Sequence, residues 1–592
     1  MIVEPLVAYT AQQVVERWLV QLNAGLERRD YRQVASLFAV NGYWRDLLAL
    51  TWDIRTAQGP RAIEAMLAEF CESSGLRHVS LEGQAATGAL GEFGPTAEAL
   101  VRFETDIASG RGHVRLLTMP DSEAEPRAVT FLTTMQDLKD FPQPSLRNRH
   151  REAMRLPEHG TANWLDKRIA EQSYADRDPQ VLIVGAGQAG LTLAARLRQL
   201  DVDTLVVDRI ERVGDNWRNR YHSLTLHNEI CTNHLPYIPF PENWPVFIPK
   251  DKLANWMESY ADSMELNVWT GTTFLSGEYD EAARLWTVHL RRPDGSTRIM
   301  RPSHVVMAIG VSGVPRIPKL QGMASFQGRV VHSSRHNSDI DVAEKSVLVV
   351  GSGTSAHDIA QDAYLRGGSV TMLQRSSITV VSIDQSARAY DFYRKNEGIR
   401  PIEDTDLLSA SIPYDLLRQL HGPLSRAMAE ADKPLLESLE KVGFLLDNGE
   451  DDTGFFLKLV RYHGGYYIDV GASDLIVDRK IALKSGIEIE RVRERGVTFT
   501  DGTTLDVDVL VLATGYEPLQ TAVAALFDED MAKRVGTIWG LGPGNEMRNM
   551  WVRTGQPGFF VAGGPFTMCR IYSRYTALLI KAELEGLIMR DR

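Results

Sequence analysis

An α/β fold, with two parallel-sheet units in series behind a small α+β unit, is predicted by three observations. The stretch VLIVGAGQAGLTLAARLRQL (181–200) passes from an apolar strand through a glycine turn into a helical pattern. SVLVVGSGTSAHDIAQDAYLRGGSVTMLQRS (346–376) repeats that order. Before both, residues 10–140 show helical spacing first and alternating, β-branched segments afterwards. A chain of 592 residues is too long for one core, and at roughly 100–200 residues per domain it suggests three or four.

In the first unit, Val14, Val15, Trp18, Leu19, Leu22 and Leu26 fall at helical spacing, and Leu37 and Phe38 follow after RRDY. ALVRFET (99–105), HVRLL (113–117) and AVTFLTT (128–134) read as strands. Helices followed by a meander make an α+β unit. NGYWRDLLALTWDIRT (41–56) resembles the opening of an NTF2-like (SnoaL-like) cone domain, where Trp44, Arg45, Asp46 and Trp52 either line a pocket or, as the plainer expectation, pack. A polar segment then reads as a linker or wrapping arm.

Each glycine in GAGQAG has its own task. Gly185 allows the tight turn, Gly187 lets backbone amides approach a pyrophosphate, and Gly190 lets helix and strand pack closely. The following strand, TLVVD, ends in Asp208, 18 residues beyond Gly190, where a carboxylate can accept hydrogen bonds from a ribose diol. In the second loop Gly351 and Gly353 repeat the first two glycines, and Ala356 takes the third place. The strand after it ends in Gln374, Arg375 and Ser376 instead of an acid. A guanidinium there welcomes a 2′-phosphate that a carboxylate would repel, so the second loop is expected to prefer NADPH over NADH. Two different loops need two ligands, and FAD in the first with NADPH in the second supplies a hydride acceptor and its donor.

The ordered set GAGQAG, VGDNW (213–217), FQGRVVHSSRH (326–336), GSGTSAHD, VVMAIG (305–310) and DVLVLATGY (508–516) resembles the class B flavoprotein monooxygenases, from near residue 180 to the C-terminus. That family comprises flavin-containing, YUCCA, N-hydroxylating and Baeyer-Villiger enzymes. The resemblance implies two Rossmann-like domains, reduction of FAD by NADPH, addition of O2 at flavin C4a and transfer of one oxygen to a substrate. It places Trp217 with Gly185, Gly187, Gly190 and Asp208 on FAD, and Ser355 with Gly351, Gly353 and Arg375 on NADPH. Ala186 and Arg209 complete the expected FAD set, as Ser352, Thr354 and Ser376 do the NADPH set. WRNRYHSLTLHNEICTNHLPYIPFP (217–241) lies where the family runs chain along the flavin ring, which makes His227 and Asn228 the candidate catalytic hydrogen-bond donors.

The expected division is 1–140 for the NTF2-like unit, 141–178 for the linker, 179–340 with 500–592 for FAD, and 341–499 for NADPH with a helical insertion near 383–470. His336 ends the FxGxxxHxxx motif where related branches place Trp, Tyr or Phe. It weakens the ketone-to-ester reading and shifts weight to heteroatom oxygenation or YUCCA-like oxidative decarboxylation; oxygenation at nitrogen or sulfur is the expected reaction, with YUCCA-like decarboxylation, Baeyer-Villiger oxidation or a plain NADPH oxidase as alternatives. GG at 563–564 departs from the Gly-Asp of many FAD proteins and leaves the usual ribityl contact open.

Charge and cysteine content narrow the partners. A net charge of -12 argues against nucleic acid or an anionic membrane surface, leaving O2 and a small molecule, with a homodimer left open. Three distant cysteines, Cys71, Cys231 and Cys569, fit neither a disulfide framework nor a CxxC reductase, and no metal site is expected: His332 and His336 have no third ligand nearby. With no basic and apolar leader and no run near the ~18 apolar residues of a membrane span, a soluble cytoplasmic chain is expected. HGG at 463–465 has no GxSxG nucleophile to accompany it, against a hydrolase.

Overall fold

Helical spacing at the N-terminus becomes the buried face of helix Ala11–Glu27, with Val15, Trp18, Leu19, Leu22 and Leu26 inward and a Thr10–Gln13 capping box at its start. The structure is a computed structural model that describes residues 9–118, 125–145, 162–337 and 339–589. Six strands form one sheet in the order Ile54–Gln58, Phe38–Leu47, Arg127–Leu138, Ala108–Leu117, Pro95–Glu104, Val79–Ala89. All pairs are antiparallel except the parallel one between Phe38–Leu47 and Arg127–Leu138. Two strands therefore precede helix Gly59–Ser74, where helices alone were expected before the meander. Trp44 packs edge-on to Phe131, 4.7 Å between ring centres, in the core under the helices. Asp46 is also buried and holds the turn at Leu50 and Thr51 through their amides.

Of the expected linker, residues 146–161 lie outside the described set. Its end forms helix Trp164–Ser173, which grips the next unit through Arg168 to Asn267 Oδ1 (3.0 Å) and Leu266 O (3.2 Å).

The first glycine unit is a five-stranded parallel sheet ordered Phe559–Val561, His304–Met307, Val181–Val184, Thr204–Val207, Asn267–Trp269. The second is ordered Arg329–His332, Val509–Leu512, Ser346–Val350, Ser369–Gln374, Ala482–Ser485 and is also parallel. Helices cover these sheets, so their central strands read as unbroken apolar runs. Strand membership departs from the expected division at both edges: Arg329–His332 and Val509–Leu512 pair within the second sheet. The reason is topological, since Ser346–Val350 needs a parallel neighbour on each side and Val509–Leu512 supplies one of them.

Two connections carry the chain between the units, and they hydrogen-bond to each other. Arg316 N donates to Gly515 O (3.0 Å) and Glu517 N to Val314 O (2.8 Å). Between the paired strands Thr379–Ser382 and Tyr466–Asp469, the insertion folds into helices that include Asp391–Asn396, Ile402–Ala410, Tyr414–Ala431 and Gly454–Tyr462. The long C-terminal helix Phe566–Leu584 packs against the first glycine helix, Gln188–Gln199. Among the described residues, no helix is long and apolar enough to cross a membrane.

Candidate cofactor and substrate site

The first glycine loop leaves the C-terminal end of the central strand Val181–Val184. Gly185 has φ +116°, and a Cβ there would lie 2.4 Å from Ala308 O, so only glycine fits. Around Gly187 the space is open, with only Asn216 Nδ2 at 3.5 Å from an ideal Cβ, and this residue caps the helix whose amides face the opening. Asp208 accepts from Ala186 N (2.7 Å) and Ile210 N (3.1 Å), which holds the carboxylate beside the loop. Arg209 is exposed next to it.

Trp217 stacks on Phe566, 6.2 Å between ring centres, and its buried Nε1 has no hydrogen-bond partner. A buried indole donor without an acceptor is costly, and a bound group with acceptor atoms would remove that cost. The open cradle at Gly187, the acid at Asp208 and the orphaned Trp217 donor fit FAD.

The second loop has the same form, with Gly351 at φ +125° and nothing nearer than 3.8 Å to a Cβ at Gly353. Thr354 Oγ1 donates to Tyr466 O (3.1 Å), Ser352 is buried, and Ser355 is half-buried. Gln374 turns inward and pairs with both backbone groups of Leu445 (2.8 and 2.9 Å), which leaves Arg375 and Ser376 exposed at the strand's tip. The open cradle and the exposed guanidinium fit NADPH.

The strap 217–241 crosses between the two units. Tyr221 Oη donates to Asp358 on the second glycine helix, Thr354–Leu365, and His227 Nε2 lies 3.5 Å from the same carboxylate. One turn further, Ser223 Oγ donates to Asp362 (3.1 Å) and His336 Nε2 lies 3.8 Å from it. Burial raises the Asp358 carboxyl, with His227 and Tyr221 opposing. Burial also acts on Asp362, but His336, Ser223 and Arg366 hold it below the usual range. Asn228 meets the Tyr390 hydroxyl of the insertion. Thus His227 and Asn228 are brought to one strap, engaged with opposite neighbours, while His336 is fully buried in an internal contact. His332 Nε2 lies 3.0 Å from Gly515 O, so the middle of FQGRVVHSSRH fastens the domain crossover.

Several residues of the site escaped the sequence reading. Arg570, on the C-terminal helix, donates twice to Asp406 of the insertion (2.7 Å each) and also to Thr232 O (3.0 Å) and His234 O (2.8 Å) of the strap. No spacing announces a pair 164 residues apart. Asp358 was in view within GSGTSAHD, and an acid among the apolar positions of the helix pattern was the available signal. His463, in the HGG stretch, lies 3.5 Å from Ser312 Oγ and edge-on to Trp539, whose ring approaches Gly564. Burial pushes His463 and His234 down to about 4, so both are neutral at pH 7. Beside the strap, Cys231, His234, Tyr393, Glu397 and Arg400 line a cavity of about 300 Å³.

Residues 182–391 match the family of pyridine nucleotide-disulphide oxidoreductases. The chain is 30% identical over 355 residues to indole-3-pyruvate monooxygenase YUCCA1 of Oryza sativa subsp. japonica, covering 60% of this chain and 80% of that protein. It is 27% identical over 350 residues to probable indole-3-pyruvate monooxygenase YUCCA10 of Arabidopsis thaliana, with 57% and 81% covered. In fold it is similar to cyclohexanone monooxygenase with bound epsilon-caprolactone (TM-score 0.50, 17% identity, 69% and 88% covered). An oxidised steroid monooxygenase bound to NADP is comparably similar (TM-score 0.50, 19% identity, 69% and 85% covered). Four-fifths of a plant relative at 30% identity, laid over two glycine loops that fit FAD and NADPH, means that the chain belongs to the flavin-dependent monooxygenase family, on its YUCCA-like side.

Proposed function

We propose that the protein uses NADPH and O2 to place one oxygen atom on a small organic substrate. The observation that carries this reading is the pair of unlike glycine loops, one ending in Asp208 and the other in Arg375, on two sheets joined by hydrogen-bonded crossovers. The chemistry supplied by bound FAD is hydride acceptance from NADPH followed by activation of O2. The protein's own residues bind, orient and exclude water. Gly187 and Gly353 open the loops to pyrophosphates, Asp208 takes a ribose diol, and Arg375 takes the 2′-phosphate. Tyr221, Ser223 and His227 hold the strap to the second glycine helix, and Arg570 holds it to the first unit.

His227 and Asn228 enter this proposal as candidate hydrogen-bond donors to the flavin, a role that requires each to turn from the partner it faces here, Asp358 and Tyr390 respectively. Alanine at each, with hydrogen peroxide measured per NADPH consumed, tests them, and unchanged ratios remove the role. The substrate atom is nitrogen or sulfur in the first reading. A second reading, oxidative decarboxylation of an α-keto acid, is favoured by the identity with relatives named for indole-3-pyruvate. Supplying a tertiary amine, a sulfide, indole-3-pyruvate and a cyclic ketone in turn tests both: N-oxide or sulfoxide supports the first, and CO2 release supports the second. Peroxide equal to NADPH with all four leaves an oxidase. For the N-terminal unit we infer an NTF2-like fold, supported by three helices packed with one bulged six-stranded sheet. A cytoplasmic setting and a homodimer remain part of the proposal, and light scattering tests the latter.

A further inference from the structure

The N-terminal unit carries neither glycine loop, yet it sends three arginines into the insertion. Arg45 is buried, with 3% of its side chain exposed. Its Nε and Nη2 donate to the two oxygens of Glu546 (2.7 and 2.6 Å), Nη1 to Ala410 O (2.7 Å), and Nη2 to Tyr572 Oη (3.0 Å). Arg111 Nη2 donates to Asp404 (2.7 Å), and Arg115 donates to Ser411 Oγ and Leu408 O (3.2 Å). One nine-residue helix, Ile402–Ala410, is therefore held by Arg111 near its start and by Arg115 and Arg45 at its last carbonyls, where cations suit the helix dipole.

The opposite face of that helix leads to the strap. Asp406 takes both bonds from Arg570, whose remaining donor binds Thr232 O and His234 O. A continuous polar path thus runs from the N-terminal unit through the insertion helix and the C-terminal helix to the strap. Apolar packing also crosses this junction: Leu47, Leu48, Leu132, Met135 and Leu138 lie in one cluster with Leu407, Ala410 and the C-terminal helix, and Tyr43, Leu90 and Val129 pack with Leu416. Taking an arginine such as Arg45 out of water is expensive, and a unit attached only passively has no need of it. The strap and the insertion helices also form the walls of the 300 Å³ cavity at Cys231 and Tyr393.

We infer that the N-terminal unit is a brace: Arg45, Arg111 and Arg115 are positioning residues that fix helix 402–410 and, through Asp406 and Arg570, the substrate-side strap at 230–235. Substrate binding and oxygen transfer then depend on a domain that does not hold the cofactors. The inference rests on the monooxygenase reading for its kinetic consequence and on geometry alone for its mechanical one.

The pair Arg111–Asp404 is part-exposed, at 23% and 20%, and because Arg111 Nε also donates to Glu82 (2.8 Å) the reversals are made in a Glu82→Gln background, which serves as the parent and avoids a like-charge pair. The experiment compares the holoenzyme with Arg111→Glu, Asp404→Arg and the double reversal. The readouts are KM and kcat with indole-3-pyruvate and with trimethylamine, peroxide per NADPH, anaerobic bleaching of the flavin by NADPH, and deuterium exchange at 402–410 and 230–235. Each single reversal is expected to raise KM roughly tenfold and to raise the peroxide fraction, with bleaching within about twofold. Exchange rises in both segments, and the double reversal restores KM, the peroxide fraction and exchange. Unchanged KM and peroxide, exchange that rises at 402–410 without reaching 230–235, or bleaching that falls in parallel with turnover would each overturn the brace. If the parent protein consumes no NADPH, the monooxygenase reading fails, while exchange at 230–235 still decides the brace.

Discussion

Gly190→Ala tests the packing of the FAD loop most directly. An ideal Cβ at Gly190 lies 1.9 Å from Gly185 O, 3.1 Å from Gly185 C and 3.3 Å from Ile183 Cγ2. The nearest of these is backbone of the loop itself and cannot rotate away. Restoring ordinary contact needs about 1.5 Å of separation between loop and helix, in an interior packed as densely as a crystal. Overpacking of this kind costs about 1–3 kcal/mol in stability. The larger effect is on the ligand, because the helix amides retreat from the pyrophosphate, and a shift of about 1 Å at a binding group is worth roughly a hundredfold. The assay is flavin content of the purified protein by absorbance, then Kd by titrating apoprotein with FAD and following fluorescence quenching. Ala356, the corresponding small residue of the second loop, supplies the control: Ala356→Gly is expected to leave FAD occupancy unchanged. Gly190→Ala protein that keeps its full flavin, with a Kd within about threefold of the parent, would refute the reasoning.

Three further outcomes are expected. Arg375→Ala raises KM for NADPH at least roughly tenfold with little change for NADH, and equal effects on both coenzymes would remove the 2′-phosphate assignment. His357 is stacked on Tyr467 at 3.8 Å, and burial lowers it to about 4 in the folded protein, against an ordinary value near ~6.5 unfolded. The unfolded chain takes up that proton first, so the stability is present above ~6.5 and is lost toward pH 4, up to about 3 kcal/mol. Accordingly the fall in Tm between pH 7 and 4.5 shrinks in His357→Phe, and an equal fall contradicts this. Asp358→Ala strands the Tyr221 hydroxyl and costs about 1–3 kcal/mol by denaturant midpoint, whereas Asp358→Asn stays within about 1 kcal/mol; equal losses would show that the hydrogen bond is not what matters.

Much of the fold was legible locally. Val181–Val184 and Ser346–Val350 are apolar runs followed by glycine, and the next strand in sequence lies beside each in its sheet, so pattern alone identifies the start of the two parallel sheets. The division between them was less legible at its edges, because Arg329–His332 and Val509–Leu512 join the second sheet by pairing that local composition does not encode. Gln374 makes the same point within the site: it occupies the position of an acid by counting, yet turns inward to Leu445, leaving Arg375 exposed at the strand's tip. His336 looked like a marker of substrate class, but it is buried against Asp362 and its identity answers to that contact.

What the sequence by itself determined is the set of positions whose chemistry depends on near neighbours: glycines that permit a turn, an acid or a guanidinium at a strand's end, and an apolar strand before a helix. Their meaning survives any arrangement of the rest of the chain. Only the tertiary structure decided what joins residues more than a hundred positions apart. Arg45 with Glu546, Arg570 with Asp406, and Tyr221 with Asp358 are charges or donors taken out of water together, and burial makes each partner obligatory while sequence distance hides it.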